Sequence, residues 1–203
     1  MPAPRKRLRF RVNRTRGLLS GARQVASPNH DARPPGVDPE LIVIHCISLP
    51  PGEFGGPWID RLFTNRLDPA AHPYFAGIAD LRVSAHLLIR RDGELVQYVP
   101  FHRRAWHAGE SQWCGQARCN DFSIGIELEG TDAGDYTTAQ YRRLAVAIRA
   151  ICRAYPTLSA TRLARHSDIA PGRKTDPGPG FDDARLAAWL ASRGYNSSRK
   201  VNA

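Results

Sequence analysis

Four consecutive aliphatic residues, Leu41-Ile42-Val43-Ile44, followed at once by His45, constrain this 203-residue chain more than any other feature. An unbroken apolar run leaves no side of a strand for solvent, so it predicts a central strand covered on both faces by other elements. The chain is long enough for one domain with a sizeable core, while two would be a tight fit. A histidine that closes such a strand has a fixed backbone and can turn its side chain into a cleft.

The neighbouring patterns agree with an α/β domain. Residues 27–40, SPNHDARPPGVDPE, are dense in Pro, Asp and Asn and read as an extended connector. Trp58 to Phe63 carries apolar residues at helical spacing. Leu87-Leu88-Ile89 and Leu95 to Val99 flank Asp92-Gly93, a dipeptide that tolerates the positive φ of a tight turn, which predicts a hairpin within residues 84–100. Ser123 to Glu129 alternates strictly, with Ile124, Ile126 and Leu128 on one face and Glu127 and Glu129 on the other. Thr137 and Gln140 form a capping-box pattern ahead of an amphipathic stripe, Tyr141, Leu144, Ile148, Ile151 and Tyr155. A last helix is expected from Asp182 to Arg193, with Leu186, Trp189 and Leu190 inward. Strands interspersed with helices and no internal repeat predict a single α/β domain, a central mixed β-sheet flanked by α-helices.

Net charge is +10, a balance that raises the question of nucleic acid. The charge is concentrated at one end. Residues 1–34 hold nine Lys/Arg against Asp31 alone, which leaves the rest of the chain at +2. The expectation is a solvated basic extension over residues 1–26, the folded domain over 27–192 and a disordered tail over 193–203, with no nucleic-acid partner. Arginines interrupt Leu8 to Val25 throughout, which does not fit the apolar stretch of a secretory signal, and no run approaches the ~20 apolar residues of a membrane span. The expectation is a cytoplasmic monomer. Cys46, Cys114, Cys119 and Cys152 contain no C-x-x-C pair, so free thiols are expected.

Hydrolases that use zinc on peptide-like bonds present three ligands drawn from His, Asp, Glu or Cys and keep a further position open. His45 is one candidate. His166 stands in RHSDIAP, directly before a Pro/Gly-rich loop, GRKTDPGPG, that carries Lys174 and Asp176. In extended backbone, residues at i and i+2 point the same way, so Lys174 and Asp176 can enter one cleft together. Taken singly, a histidine is more often structural and an Asp before Pro more often a turn former.

Together, VIHCISLPPGEFGG, HPYFAGIADLRVSAHLLIRRDGELVQYVPFHRRAWHAG, CNDFSIGIELEGTD and HSDIAPGRKTDPG resemble, in the same order, the type 2 N-acetylmuramoyl-L-alanine amidases, a family that also includes peptidoglycan recognition proteins. The likeness runs from about Ser27 to Leu190 and is similar above all to members that act in peptidoglycan recycling. It implies the family's fold, zinc held by His45, His166 and Asp176, Glu127 as catalytic acid/base and Lys174 as support for the tetrahedral oxyanion. Alternation alone leaves Glu127 and Glu129 equivalent; the resemblance chooses Glu127. It also implies hydrolysis of the amide between (1,6-anhydro-)N-acetylmuramic acid and L-alanine, with a muropeptide as substrate. A sugar joined to an acidic peptide needs aromatic surface and cations, for which Trp106, His107, Arg82 and Arg118 are candidates. His86 is expected to be a hydrogen-bonded strand residue. Cys46 departs from the Asn frequent after the first ligand, and as the strand neighbour of His45 it should face away from the metal.

Overall fold

The computed structural model describes residues 10–191. Its centre is a six-stranded mixed sheet built from β1 (Arg23–Gln24), β2 (Leu41–Ile47), β3 (Leu87–Ile89), β4 (Leu95–Gln97), β5 (Ser123–Glu129) and β6 (Leu163–Arg165), in the order β6-β2-β5-β3-β4-β1. The strands β6, β2, β5 and β3 run parallel, β3 pairs antiparallel with β4, and β4 runs parallel to β1. As the apolar run predicts, β2 lies inside the sheet with both faces covered, and it continues past His45 to Ile47. The hairpin turns at Gly93, whose φ of 88° is the left-handed conformation the turn requires.

One face of the sheet is closed by α2 (Thr138–Ala154) and α4 (Asp183–Ala191). The capping box at the start of α2 is formed: Gln140 N–H donates to Thr137 Oγ1 at 3.1 Å, and Thr137 N–H to Gln140 Oε1 at 3.0 Å. Tyr141, Leu144, Ile148 and Ile151 then bury against Ile42, Ile44, Ile124, Ile126 and Leu128. Each such burial contributes about 1.5–3 kcal/mol, which holds this helix in place more firmly than its intrinsic propensity would. From α4, Leu186 and Leu190 enter the same core, with Trp189 packed at its margin.

The opposite face is divided. Ile59, Leu62 and Phe63 of α1 (Trp58–Phe63) bury against Leu88, Val96 and Tyr98. Beyond them Leu41, Val43 and Ala164 meet Ala108, Phe122 and Ile169. Between these two apolar groups the sheet presents polar residues, and the site lies there.

The expected solvated arm is corrected from Phe10 onward. Phe10 and Leu19, apolar residues set among arginines, are buried in the α2-side core, and β1 adds an edge strand to the sheet. The Gln97 side chain supplies the polar matching, accepting from Leu19 N–H at 2.8 Å and donating to the Gly17 carbonyl at 2.9 Å. Arg33 is also buried, with its guanidinium donating to the carbonyls of Phe101, Asn120, Asp121 and Ser123. Basic residues here border apolar anchors, so counting charge could not separate a docked segment from a free one. The expected disordered tail, 193–203, and residues 1–9 lie outside the described residues.

Among the described residues no helix is long and apolar enough to cross a membrane. All four cysteines are free thiols, Cys114 exposed and Cys119 buried.

Candidate metal centre and catalytic cleft

Parallel pairing of β2 with β5 sets His45 directly opposite Glu127 and Val43 opposite Gly125. Residues paired across strands project to the same face, so this register puts an imidazole beside a carboxylate. His166 arrives from the sheet edge: β6 pairs Arg165 with Ile44, and His166 opens the short helix α3 (His166–Ile169) at the next position. The sequence contains no visible signal for β6, a three-residue strand that exists through its pairing.

Asp176 comes from the loop that follows α3. Ser167 N–H donates to the Asp176 carbonyl at 3.0 Å, and Lys174 N–H to Ala170 O at 3.0 Å. Gly178, at φ 78°, and Gly180 lie against the backbone of residues 132–134 so closely that a Cβ on either would overlap it. Asp132 also meets the Thr175 hydroxyl. Glycine is required here because two backbones touch.

The three expected ligands converge. His45 Nδ1 lies 2.9 Å from His166 Nδ1 and 3.2 Å from Asp176 Oδ2, and His166 Nδ1 lies 3.0 Å from the same oxygen. Burial pushes the His45 pKa down to about 4, so this ring is neutral at neutral pH. Burial alone would raise Asp176, but the adjoining His166 and His45 rings hold it below the ordinary carboxylate value, so it is ionised. His166 Nε2 faces the Ala108 carbonyl at 3.1 Å and must donate to it, so the neutral ring has its lone pair on Nδ1. Two imidazole nitrogens and a carboxylate oxygen aimed at one another form a donor set that fits a metal ion.

Glu127 is 8% exposed and, among the described residues, its Oε2 has no hydrogen-bond partner. Burial, followed by the Asp176 charge, raises its pKa well above the ordinary carboxylate value, while the charge of Lys174 draws it back. Lys174 itself is exposed on the ligand loop and also acts electrostatically on His45. The other carboxylate left open by alternation, Glu129, is occupied: it pairs with Arg90 at 2.9 Å and accepts from Gly55 N–H at 2.7 Å and Arg91 N–H at 3.1 Å.

The candidate substrate contacts separate in the structure. Arg82 and Arg118 are exposed, the latter pairing with Asp121 at 3.2 Å, and Trp106 is partly buried. His107 is half-buried, and both ring nitrogens are engaged inside the protein: Nδ1 lies 2.9 Å from His45 Nε2 and Nε2 lies 3.1 Å from Ser123 Oγ. His86 is buried and bonded, accepting from Gly125 N–H at Nδ1. Cys46 faces away, its thiol on Asp132 at 3.1 Å and its body against the α2-side core. Residues with no signal in sequence are Ser123, Asp132 and Asn120, whose Oδ1 accepts from the His107 and Ala108 amides.

Residues 35–179 match the family described as N-acetylmuramoyl-L-alanine amidase. The chain is 66% identical over 175 residues to the 1,6-anhydro-N-acetylmuramyl-L-alanine amidase AmpD of Escherichia coli K12, covering 86% of this chain and 95% of that one. A crystal structure of a selenomethionine AmpD derivative superposes with a TM-score of 0.84 at 63% identity, covering 86% of this chain and 97% of that one. More distantly, the E. coli amidase AmiD, solved with the substrate anhydro-N-acetylmuramic acid-L-Ala-D-gamma-Glu-L-Lys, matches at a TM-score of 0.53 and 30% identity over 81% of this chain and 58% of that one. Sequence and fold thus agree along most of the described chain, which belongs to the N-acetylmuramoyl-L-alanine amidase family and is an amidase of that kind.

Proposed function

We propose that this chain is a zinc-dependent amidase that hydrolyses the amide between the lactyl group of (1,6-anhydro-)N-acetylmuramic acid and L-alanine in muropeptides released during cell-wall recycling. The substrate reading is supported by the name of the E. coli AmpD relative and by the anhydro-muramyl peptide bound to AmiD. The resemblance also supports a cytoplasmic setting. One observation carries the chemistry: three lone-pair donors meet beside a buried carboxylate oxygen that has no partner.

His45, His166 and Asp176 would hold the metal, and their N, N, O set suits zinc. Bound there, zinc supplies Lewis acidity that polarises the scissile carbonyl and lowers the pKa of water toward neutrality. The remaining work falls to the chain. Glu127 takes a proton from the attacking water and returns it to the departing amine of L-alanine. Its burial raises its proton affinity, so it holds that proton between the two steps, and Lys174 keeps the ionised form accessible. Lys174 also offsets the charge that develops on the carbonyl oxygen as the tetrahedral state forms.

Mass spectrometry of products from anhydro and reducing-end muropeptides, with and without a chelator, tests this reading. Release of free peptide from the anhydro substrate, lost with the chelator and restored by zinc, is expected. Full activity in metal-free protein, or peptide bound without cleavage, would overturn it.

A further inference from the structure

We propose that His107 is a positioning residue whose hydrogen-bond relay, anchored on a backbone carbonyl, fixes the tautomer of His45 and so presents Nδ1 as a metal ligand. The inference rests on the metal reading above and adds a residue whose two ring nitrogens are both engaged within the protein.

The direction of the relay follows from its far end. A backbone carbonyl can only accept, so the Ser123 hydroxyl, 2.6 Å from the Cys119 carbonyl, must donate to it. With its one proton committed, Ser123 Oγ accepts from His107 Nε2–H at 3.1 Å. A neutral imidazole protonated on Nε2 has a lone pair on Nδ1, and that nitrogen accepts from His45 Nε2–H at 2.9 Å. His45 is then left with its lone pair on Nδ1, the atom that meets His166 and Asp176. Each link has one polarity. Metal-bound histidines commonly donate their second nitrogen to a carboxylate, carbonyl or water, as His166 does to the Ala108 carbonyl. For His45 the carbonyl is two side chains away.

The fold reserves space for this relay. The His107 ring lies flat against β5 where Gly125 has no side chain, and a Cβ there would sit 2.5 Å from the ring. Backbone amides of residues 107 and 108 both donate to Asn120 Oδ1, which holds the segment down. Buried Arg33 in turn grips the carbonyls of Asn120, Asp121 and Ser123, so the stretch carrying Asn120 and Ser123 is fixed by a cation drawn from the connector before β2.

Two measurements on the full chain test the inference: zinc affinity by competition with a chromophoric chelator, and the His45 tautomer in metal-free protein by long-range 1H–15N spectra. His107→Leu should weaken zinc about 10- to 100-fold. His107→Gln, whose amide offers an acceptor and a donor in place of Nδ1 and Nε2, should recover most of that loss. Ser123→Ala keeps the ring but removes its acceptor, and should shift the His45 proton from Nε2 toward Nδ1. Wild-type affinity in His107→Leu, equal losses in His107→Leu and His107→Gln, or a wild-type His45 protonated on Nδ1 would each overturn the relay. A wild-type chain that takes no zinc would overturn the metal reading instead, and the tautomer spectra would still judge the relay.

Discussion

Glu127 and Glu129 stand two residues apart on one strand and share one face of the sheet, yet their surroundings are opposite. Glu129 is 1% exposed and saturated, with Arg90 and two backbone amides on its oxygens. Glu127 is nearly as buried, but one oxygen has no partner and its neighbours are a second carboxylate and the end of a lysine loop. Burying a charge with a full set of donors produces a structural link, and burying one without them produces a group with an abnormal affinity for protons. The strand pairing decides which is which, because it sets Glu127 against His45 and Glu129 against Ile47.

Exchanging one group at a time breaks or sharpens that contrast. Glu127→Gln should cut turnover about 10³-fold, within the span attributed to general acid–base groups, with the folded state and metal content retained. Near-normal turnover in the purified variant would remove Glu127 from the chemistry. Lys174→Ala should cost about 10²-fold in turnover at unchanged zinc stoichiometry, measured by elemental analysis beside steady-state rates. A variant that loses its metal would show that Lys174 supports the ligand loop instead.

Glu129→Ala should act on stability and leave chemistry alone. It strips a buried guanidinium of a carboxylate partner, at a cost of about 3 kcal/mol in denaturant unfolding, while activity per folded molecule stays near normal. The smallest effect is in pH. The folded-state pKa of Glu127 lies above its unfolded value, so between that unfolded value and the folded one the native state binds more protons. Its contribution is therefore present at low pH and lost as pH rises through the folded pKa. Metal-free wild type should lose stability relative to Glu127→Gln as pH climbs from about 4.5, by at most about 1.4 kcal/mol per unit. Parallel stability curves for the two proteins would mean that Glu127 ionises normally.

Much of the fold was legible because its signals are local. A capping box and its stripe occupy one stretch of α2, alternation marks β5, and a continuous apolar run marks β2. The arm was misread for the reason that makes such patterns useful elsewhere. Phe10 and Leu19 are isolated among arginines, and nothing in their own neighbourhood reports that a hydrophobic surface waits on α2 and β3. His107 was singled out from its motif, but its partners His45 and Ser123, 62 and 16 residues away, could not be read from it.

The amino-acid sequence by itself determined the types of group available and the elements that carry them: histidine on a buried strand, lysine and aspartate two apart on a Pro/Gly loop, and carboxylates on alternate positions of another strand. Only the tertiary structure decided which groups meet. His45 finds His166 at a separation of 121 residues and Asp176 at 131, through the pairing of β6 with β2 and the backbone contact of Gly178 and Gly180 with residues 132–134. Periodicity is written by neighbours along the chain, whereas a strand register and a ring laid over Gly125 are settled when distant surfaces exclude water together.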